Sequence, residues 1–265
     1  MDSRMEIRPG RIIHIKTYPH PTNKKTAFLI HGLGGSGEQW REQIQILKEE
    51  YTLVIPDLLG HGQSDKPKSN SHNLYCFEEF RRDMLALFHR FSAEKNIVIG
   101  HSYGGALATT LALANPDMIT RLVLIAPVPC AGTANVPMIY HLPAFTLEWL
   151  RPLLEKQFAG LAFDPSDNPK LVKEEIEKSR HNPMHIIKNM IAGMETIPTL
   201  DVSLLKAHTL ILLGENDKLI PPLLSEKFYN PIPHRNIETI QNTAHMVMLE
   251  RPEQVNQLLR ESMME

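Results

Sequence analysis

The stretch VIGHSYGGALA, Val98 to Ala108, runs from apolar residues through a His-Ser pair into glycines and small residues. An ordinary turn needs one glycine. This one has Gly100, Gly104 and Gly105 around Ser102. If Val98 and Ile99 end a strand and Tyr103 begins a helix, the turn between them is too sharp for relaxed backbone. Ser102 is then forced into a strained conformation, and the residues two positions to either side must be nearly free of side chain. Gly105 and Ala106 let the helix pack close to the sheet. The pattern G-x-S-x-G in this context holds a serine hydroxyl up at the end of a strand.

Working outward, short continuous apolar runs alternate with longer helical patterns. Thr26–Gly32, Tyr51–Asp57, Asn96–Gly100, Arg121–Pro127 and His208–Gly214 are Leu-rich or β-branched and bounded by turn residues. Runs without alternation suit strands buried on both faces, as in a parallel sheet covered by helices. Ile237–Asn242 reads as a sixth, weaker strand, and Arg11–Tyr18 alternates like an antiparallel edge strand. Helices are expected over Glu38–Lys48, Phe77–Phe91, Ser102–Ala114, Pro222–Tyr229 and Pro252–Met263. The alternation predicts an α/β fold with a doubly wound, mostly parallel sheet.

One region breaks the rhythm. From Val128 to Lys206 no strand is legible and prolines recur. Asn168-Pro169 and Asn182-Pro183 each read as an N-cap followed by a proline at the first helical position. The expected organisation is a core over residues 1–127 and 207–265, with a helical insertion over 128–206.

Composition excludes several functions. The 265 residues are 42% hydrophobic and 22% charged, with a net charge of −2. That balance gives no electrostatic case for nucleic acid. No apolar run is long enough for a membrane span. The charged start MDSRMEIRPGR lacks the apolar core of a secretory signal, and Cys76 and Cys130 are too few for a disulfide framework. A cytoplasmic protein is expected. No His/Cys cluster has metal-ligand spacing, and HGLGGSG lacks the Lys-Ser/Thr ending of a phosphate loop, so no cofactor and no metal are implied.

Four further segments now matter together. HGLGG (His31–Gly35) and DLLGHGQSD (Asp57–Asp65) follow strands, LLGENDKLIP (Leu212–Pro221) carries two acids, and NTAHMVMLERPEQV (Asn242–Val255) carries one histidine. With the serine turn they resemble the α/β-hydrolase superfamily, and the resemblance covers nearly the whole chain. It implies a triad of Ser102, Asp217 and His245, with Glu215 as the rival acid. The variant with the acid after the preceding strand is disfavoured, because APVPCAGTANVP contains no Asp or Glu. It also implies an oxyanion hole from the backbone N–H groups of Leu33 and Tyr103. One departure is Ala244, where family members often carry glycine before the histidine. Asp57 and Asp65, and the histidines at 31, 61 and 101, are read as holding their loops.

By the same resemblance, residues 128–206 form a cap. The apolar and aromatic run Val136–Phe158 is expected either to pack that cap on the core or to line an apolar pocket. The implied activity is hydrolysis of a small apolar carboxylic ester or thioester through an acyl-enzyme. Two alternatives share the fold. One is a carbon–carbon bond hydrolase of the meta-cleavage type, for which Arg121 or Arg151 would have to face the substrate. The other is a non-catalytic ligand receptor. Epoxide hydrolases and haloalkane dehalogenases are disfavoured, since they carry aspartate where Ser102 stands.

Overall fold

The continuous apolar runs become strands because both of their faces are covered. The computed structural model describes residues 1–22, 24–68, 72–131 and 136–264. Its strands are β1 (Asp2–Arg8), β2 (Arg11–Tyr18), β3 (Lys25–Ile30), β4 (Thr52–Pro56), β5 (Lys95–His101), β6 (Ile119–Ile125), β7 (His208–Gly214) and β8 (Arg235–Ile240). They form one eight-stranded sheet in the order β1-β2-β4-β3-β5-β6-β7-β8. From β4 through β8 every neighbouring pair is parallel.

The helices are α1 (Arg41–Leu47), α2 (Phe77–Phe91), α3 (Tyr103–Ala114), α4 (Ala144–Ala162), α5 (Pro169–Ser179), α6 (Met184–Gly193), α7 (Pro222–Tyr229), α8 (Val247–Glu250) and α9 (Pro252–Met264). Two apolar layers result, one on each face of the sheet. Phe80, Leu107 and Tyr229, from α2, α3 and α7, pack on Phe28, Val98 and Leu122. Ile44, Val247 and Leu259, from α1, α8 and α9, pack on Leu29, Ile99 and Val123. The alternation of faces along each strand sends successive residues to the two layers.

Two expectations are corrected. β2 is antiparallel as read, but it is not the edge: β1 pairs with it on one side and β4 on the other. The missed strand is DSRMEIR, whose charged residues hide the alternation that lets Met5 and Ile7 pack on the core. Gly10, at φ 73°, makes the tight turn that joins the two strands. The second correction concerns Asn182. Asn168 caps α5 through Lys170 N–H, as the sequence predicts. Asn182 does not cap α6, because Pro183 is extended (ψ 143°) and itself occupies the cap position.

Between β6 and β7 the chain runs through α4, α5 and α6, with no strand among the described residues. Residues 132–135, near the start of the predicted insertion, and residue 265, at the end of the predicted core, lie outside them. α6 sends Ile186 and Met190 into the layer beside α2 and α3. α4 turns Leu147 and Leu154 inward against Met184. Its opposite side carries Phe145, Trp149 and Leu153, which are 78%, 81% and 60% exposed. These three therefore neither pack the insertion on the core nor line an enclosed pocket.

The serine turn depends on two close approaches. A Cβ on Gly100 would lie 2.3 Å from the Gly104 carbonyl oxygen, and one on Gly104 would lie 2.3 Å from that of Ile30. Both obstacles are backbone and cannot swing aside. Gly104→Ala should therefore lower stability by at least about 2 kcal/mol. Gly160, within α4, has open space around it; Gly160→Ala should raise stability by about 0.5–1 kcal/mol. Urea unfolding of the two variants checks this, and equal effects would contradict the packing described.

Candidate active site

All the motif loops lie at the carboxyl ends of the strands, where open α/β sheets place their ligand sites. Ser102 follows β5 and has φ 52° and ψ −119°, in the left-handed half of conformational space. Its N–H donates to the Ile125 carbonyl at 2.9 Å, and its carbonyl accepts from Gly105 and Val128 N–H. The strained turn is thus tied to β6 and to the chain beyond it. Such a conformation costs about 1–3 kcal/mol and persists only where the surroundings fix it.

Asp217 sits three residues after β7, nearly all of its side chain buried. Its Oδ1 accepts from the N–H groups of Leu219 and Ile220, both at 2.9 Å. Its Oδ2 lies 2.7 Å from His245 Nδ1. A carboxylate only accepts, so Nδ1 carries the proton and Nε2 is left with a free lone pair. Glu215 is turned away and exposed, and it accepts from Asn242 N–H at 3.2 Å. Of the two acids in the segment, Asp217 is the one that meets the histidine.

The residue before Ser102 stands beside this pair. The ring of the adjacent His101 is 4.9 Å from that of His245, and His101 Nε2 is 3.0 Å from the His245 carbonyl. Ser102 Oγ makes no hydrogen bond to His245 among the described residues. Serine–base hydrogen bonds are often long before substrate binds.

The neighbouring loop is fixed at almost every peptide. Leu58 N–H donates to His31 Nε2 at 2.9 Å, so His31 Nδ1–H is the donor to the Gly32 carbonyl at 2.7 Å. Gly34 N–H donates to His61 Nε2 at 3.0 Å. Burial holds His31 below the ordinary histidine range, and burial together with the nearby His31 pushes His61 down to about 3. Both therefore stay neutral in fixed tautomers. Asp57 holds the adjoining loop, accepting from Gly37 N–H at 2.7 Å and Gln63 N–H at 2.8 Å. Asp65 pairs with Arg4.

Two residues complete the scaffold: Asn182, whose sequence signal was for a helix cap, and Glu250. Asn182, 2% exposed, reaches from the insertion into the core. Its Nδ2 donates to the Gly34 carbonyl at 2.6 Å, and its Oδ1 accepts from Gly62 N–H at 3.2 Å. Glu250 brackets His245, accepting from Ala244 and Met246 N–H, each at 2.9 Å. It also accepts from Asp164 N–H at 3.0 Å. The only sequence signal for Glu250 was an acid on a first helical turn able to reach back, as in a capping box. The Ala244 departure is accommodated here. The close approach falls on Gly214 instead, where a Cβ would sit 1.9 Å from the Ala244 carbonyl oxygen.

Arg121 lies near the amino end of β6. Arg151 is held by Glu148 at 2.8 Å and by the Asn182 carbonyl at 3.0 Å. Among the described residues no three His, Cys, Asp or Glu side chains are grouped to hold a metal ion, and no helix is long and apolar enough to cross a membrane.

The fold agrees with that of known proteins. The family model for the alpha/beta hydrolase fold matches residues 28–252, and the chain belongs to that family. Protein ABHD8 of the mouse, Mus musculus, is 33% identical over 96% of this chain and 60% of its own length. The chain thus spans about three-fifths of the curated relatives of that name. An esterase from Exiguobacterium antarcticum superposes with a TM-score of 0.86 over 100% of both chains at 18% identity. A thermophilic esterase from Thermogutta terrifontis gives 0.81 over 98% of this chain and 97% of that one at 21% identity. At such identities the two structures establish a shared fold.

Glu250 carries a pH signature. Burial and the adjacent Asp167 carboxyl push it up to about 8. A carboxyl raised on folding gives stability that is complete below its unfolded value and is lost as pH rises through the folded value. The melting temperature of the wild type should therefore fall relative to that of Glu250→Gln between pH 5 and 9. Thermal melts across that range check it, and a constant difference would contradict it.

Proposed function

We propose that the chain is a serine hydrolase that cleaves a carboxylic ester or thioester of largely apolar character through Ser102, His245 and Asp217. The observation that carries this reading is the buried 2.7 Å pair of Asp217 and His245 beside the left-handed turn of Ser102. His245 Nε2 takes the Ser102 proton as Oγ attacks the ester carbonyl, and Asp217 stabilises the imidazolium that forms. His245 then returns the proton to the leaving alcohol or thiol, which leaves an acyl group on Ser102. Water, activated by the same histidine, releases the acid.

The negative charge on the attacked oxygen needs donors. Tyr103 opens α3, where an N–H has no acceptor within the helix. Leu33 N–H is likewise without a protein acceptor among the described residues. These two groups form the proposed oxyanion hole. The Leu33 peptide lies between Gly32, held by His31, and Gly34, held by His61 and Asn182. Asn182 is then a positioning residue, through which the insertion acts as a cap that helps set the hole. Ile187 of the insertion comes near Gly34 as well, so the cap presents an apolar side chain beside the loop. The carbon–carbon bond reading is disfavoured by the position of Arg121 near the amino end of β6 and by the engagement of Arg151 with Glu148 and the Asn182 carbonyl.

Ser102→Ala should fold normally and lose nearly all hydrolysis of p-nitrophenyl esters of graded chain length. Asp217→Asn should lower kcat by about 10⁴-fold, by analogy with other triads; Glu215→Gln should change it little. Reversed effects would make Glu215 the acid, and full activity in Ser102→Ala would remove the mechanism.

Asn182→Ala should lower kcat about tenfold with little change in KM, which is less than the loss of a whole oxyanion donor. It should weaken a trifluoromethyl ketone inhibitor by the same factor, because that adduct also needs the hole. A lower melting temperature with unchanged kcat and inhibitor affinity would reduce Asn182 to a structural tie.

A further inference from the structure

At the opposite end of the sheet from Ser102, three of four neighbouring strands begin with a basic residue, and the fourth, β6, carries Arg121 as its third residue on the same face. Lys25 opens β3, Lys95 opens β5 and His208 opens β7. Lys25 stands in register with Lys95, Ile97 with Arg121, and Arg121 with His208. Because faces alternate, Lys95 and Ile97 share a side, and so do Lys25, Arg121 and His208. Further along the same face come Ala27, Ile99, Val123 and Leu210, all buried in the layer beneath α1 and α9. The basic residues are therefore the margin of a core face, gathered by the parallel register in two successive rows, Lys25 with Lys95 and Arg121 with His208.

These residues line a cleft of about 320 Å³ together with Tyr51 and Met263. Lys25 Nζ lies 5.7 Å from the centre of the Tyr51 ring, and that tyrosine is 6% exposed. His208 stacks on His234 at 5.2 Å. Among the described residues, no carboxylate lines the cleft. Among the described residues, Lys25, Lys95, Arg121 and His208 make no ion pair. Glu50 is near enough to oppose ionisation of Tyr51 but forms no part of the wall. Like charges in register on neighbouring strands destabilise a sheet. In a chain with net charge −2, such a row is a cost that an anion would relieve.

We propose that this cleft binds a small phosphorylated ligand, with the phosphate held by Lys25, Lys95 and Arg121 and the remainder against Tyr51. Two ammonium groups and a guanidinium suit a multiply charged phosphate better than a single carboxylate. The cleft volume is at the lower end of the range of small-molecule sites, ~300–1,000 Å³. The span of β5 puts this site about 20 Å from the serine, at roughly 3.3 Å per residue, so it is separate from the hydrolytic centre.

Inorganic pyrophosphate is the probe for a soluble ligand, and vesicles containing phosphatidic acid are the probe for a lipid phosphate. At low salt, millimolar pyrophosphate should raise the melting temperature of the wild type by several degrees, while sodium chloride of equal ionic strength should not. Lys95→Gln and Arg121→Gln should each abolish that rise and leave ester hydrolysis unchanged. Without ligand, Lys95→Gln should melt no lower than the wild type, because it relieves repulsion with Lys25. Co-sedimentation with the vesicles that both substitutions abolish would support the site and assign the phosphate to a lipid. Equal pyrophosphate shifts in wild type and variants, or binding of neither probe, would overturn the proposal.

Discussion

The approach of α3 to the sheet governs this molecule. Gly100 and Gly104 let backbone meet backbone at distances that no side chain tolerates, and the chain can make that passage only by turning left-handed at Ser102. The conformational cost is met by packing on one face of the sheet, where Leu107 and Leu111 of α3 are fully buried. With Ser102 raised at the end of β5, the loops after β3, β4, β7 and β8 converge at the same end of a parallel sheet. A strained residue is retained there because the surrounding structure over-determines it.

Around that point the scaffold is built from neutral polar groups with few degrees of freedom. His31 and His61 each use both ring nitrogens on backbone groups. Buried polar groups of this kind are costly unless satisfied and rigid when they are. The insertion joins the same network at two places. Asn182 grips the Gly34 carbonyl, while the Ala162 carbonyl accepts from the N–H groups of both His245 and Met246. The helices between β6 and β7 are therefore continuous with the support of the histidine loop, and their apolar residues at Phe145, Trp149 and Leu153 face outward.

Much of this was legible in the sequence for one reason: burial on both faces leaves continuous apolar runs, and sharp turns leave glycines. The six core strands, α2 and the order of the serine, acid and histidine segments follow from those two signals. What escaped was whatever depended on long-range partners. β1 is a strand because β2 offers it a free edge, which its charged sequence does not disclose. Asn182 carries a legitimate capping signal, yet its side chain finds better partners 148 and 120 residues away. Glu250 looks like any acid on a short helix until the fold brings Ala244 and Met246 N–H to it. The outward face of α4 was misread because an apolar run on a helix normally signals burial.

The most direct test of the account is to locate the reactive hydroxyl. Incubation with a fluorophosphonate, followed by proteolysis and peptide mass mapping, should give one adduct per chain, on the peptide carrying Ser102, and no adduct should form when the protein is heat-denatured before incubation. An adduct on another residue of the folded protein, or none under conditions that label a known serine esterase, would contradict the claim that the strained turn exists to present a nucleophile.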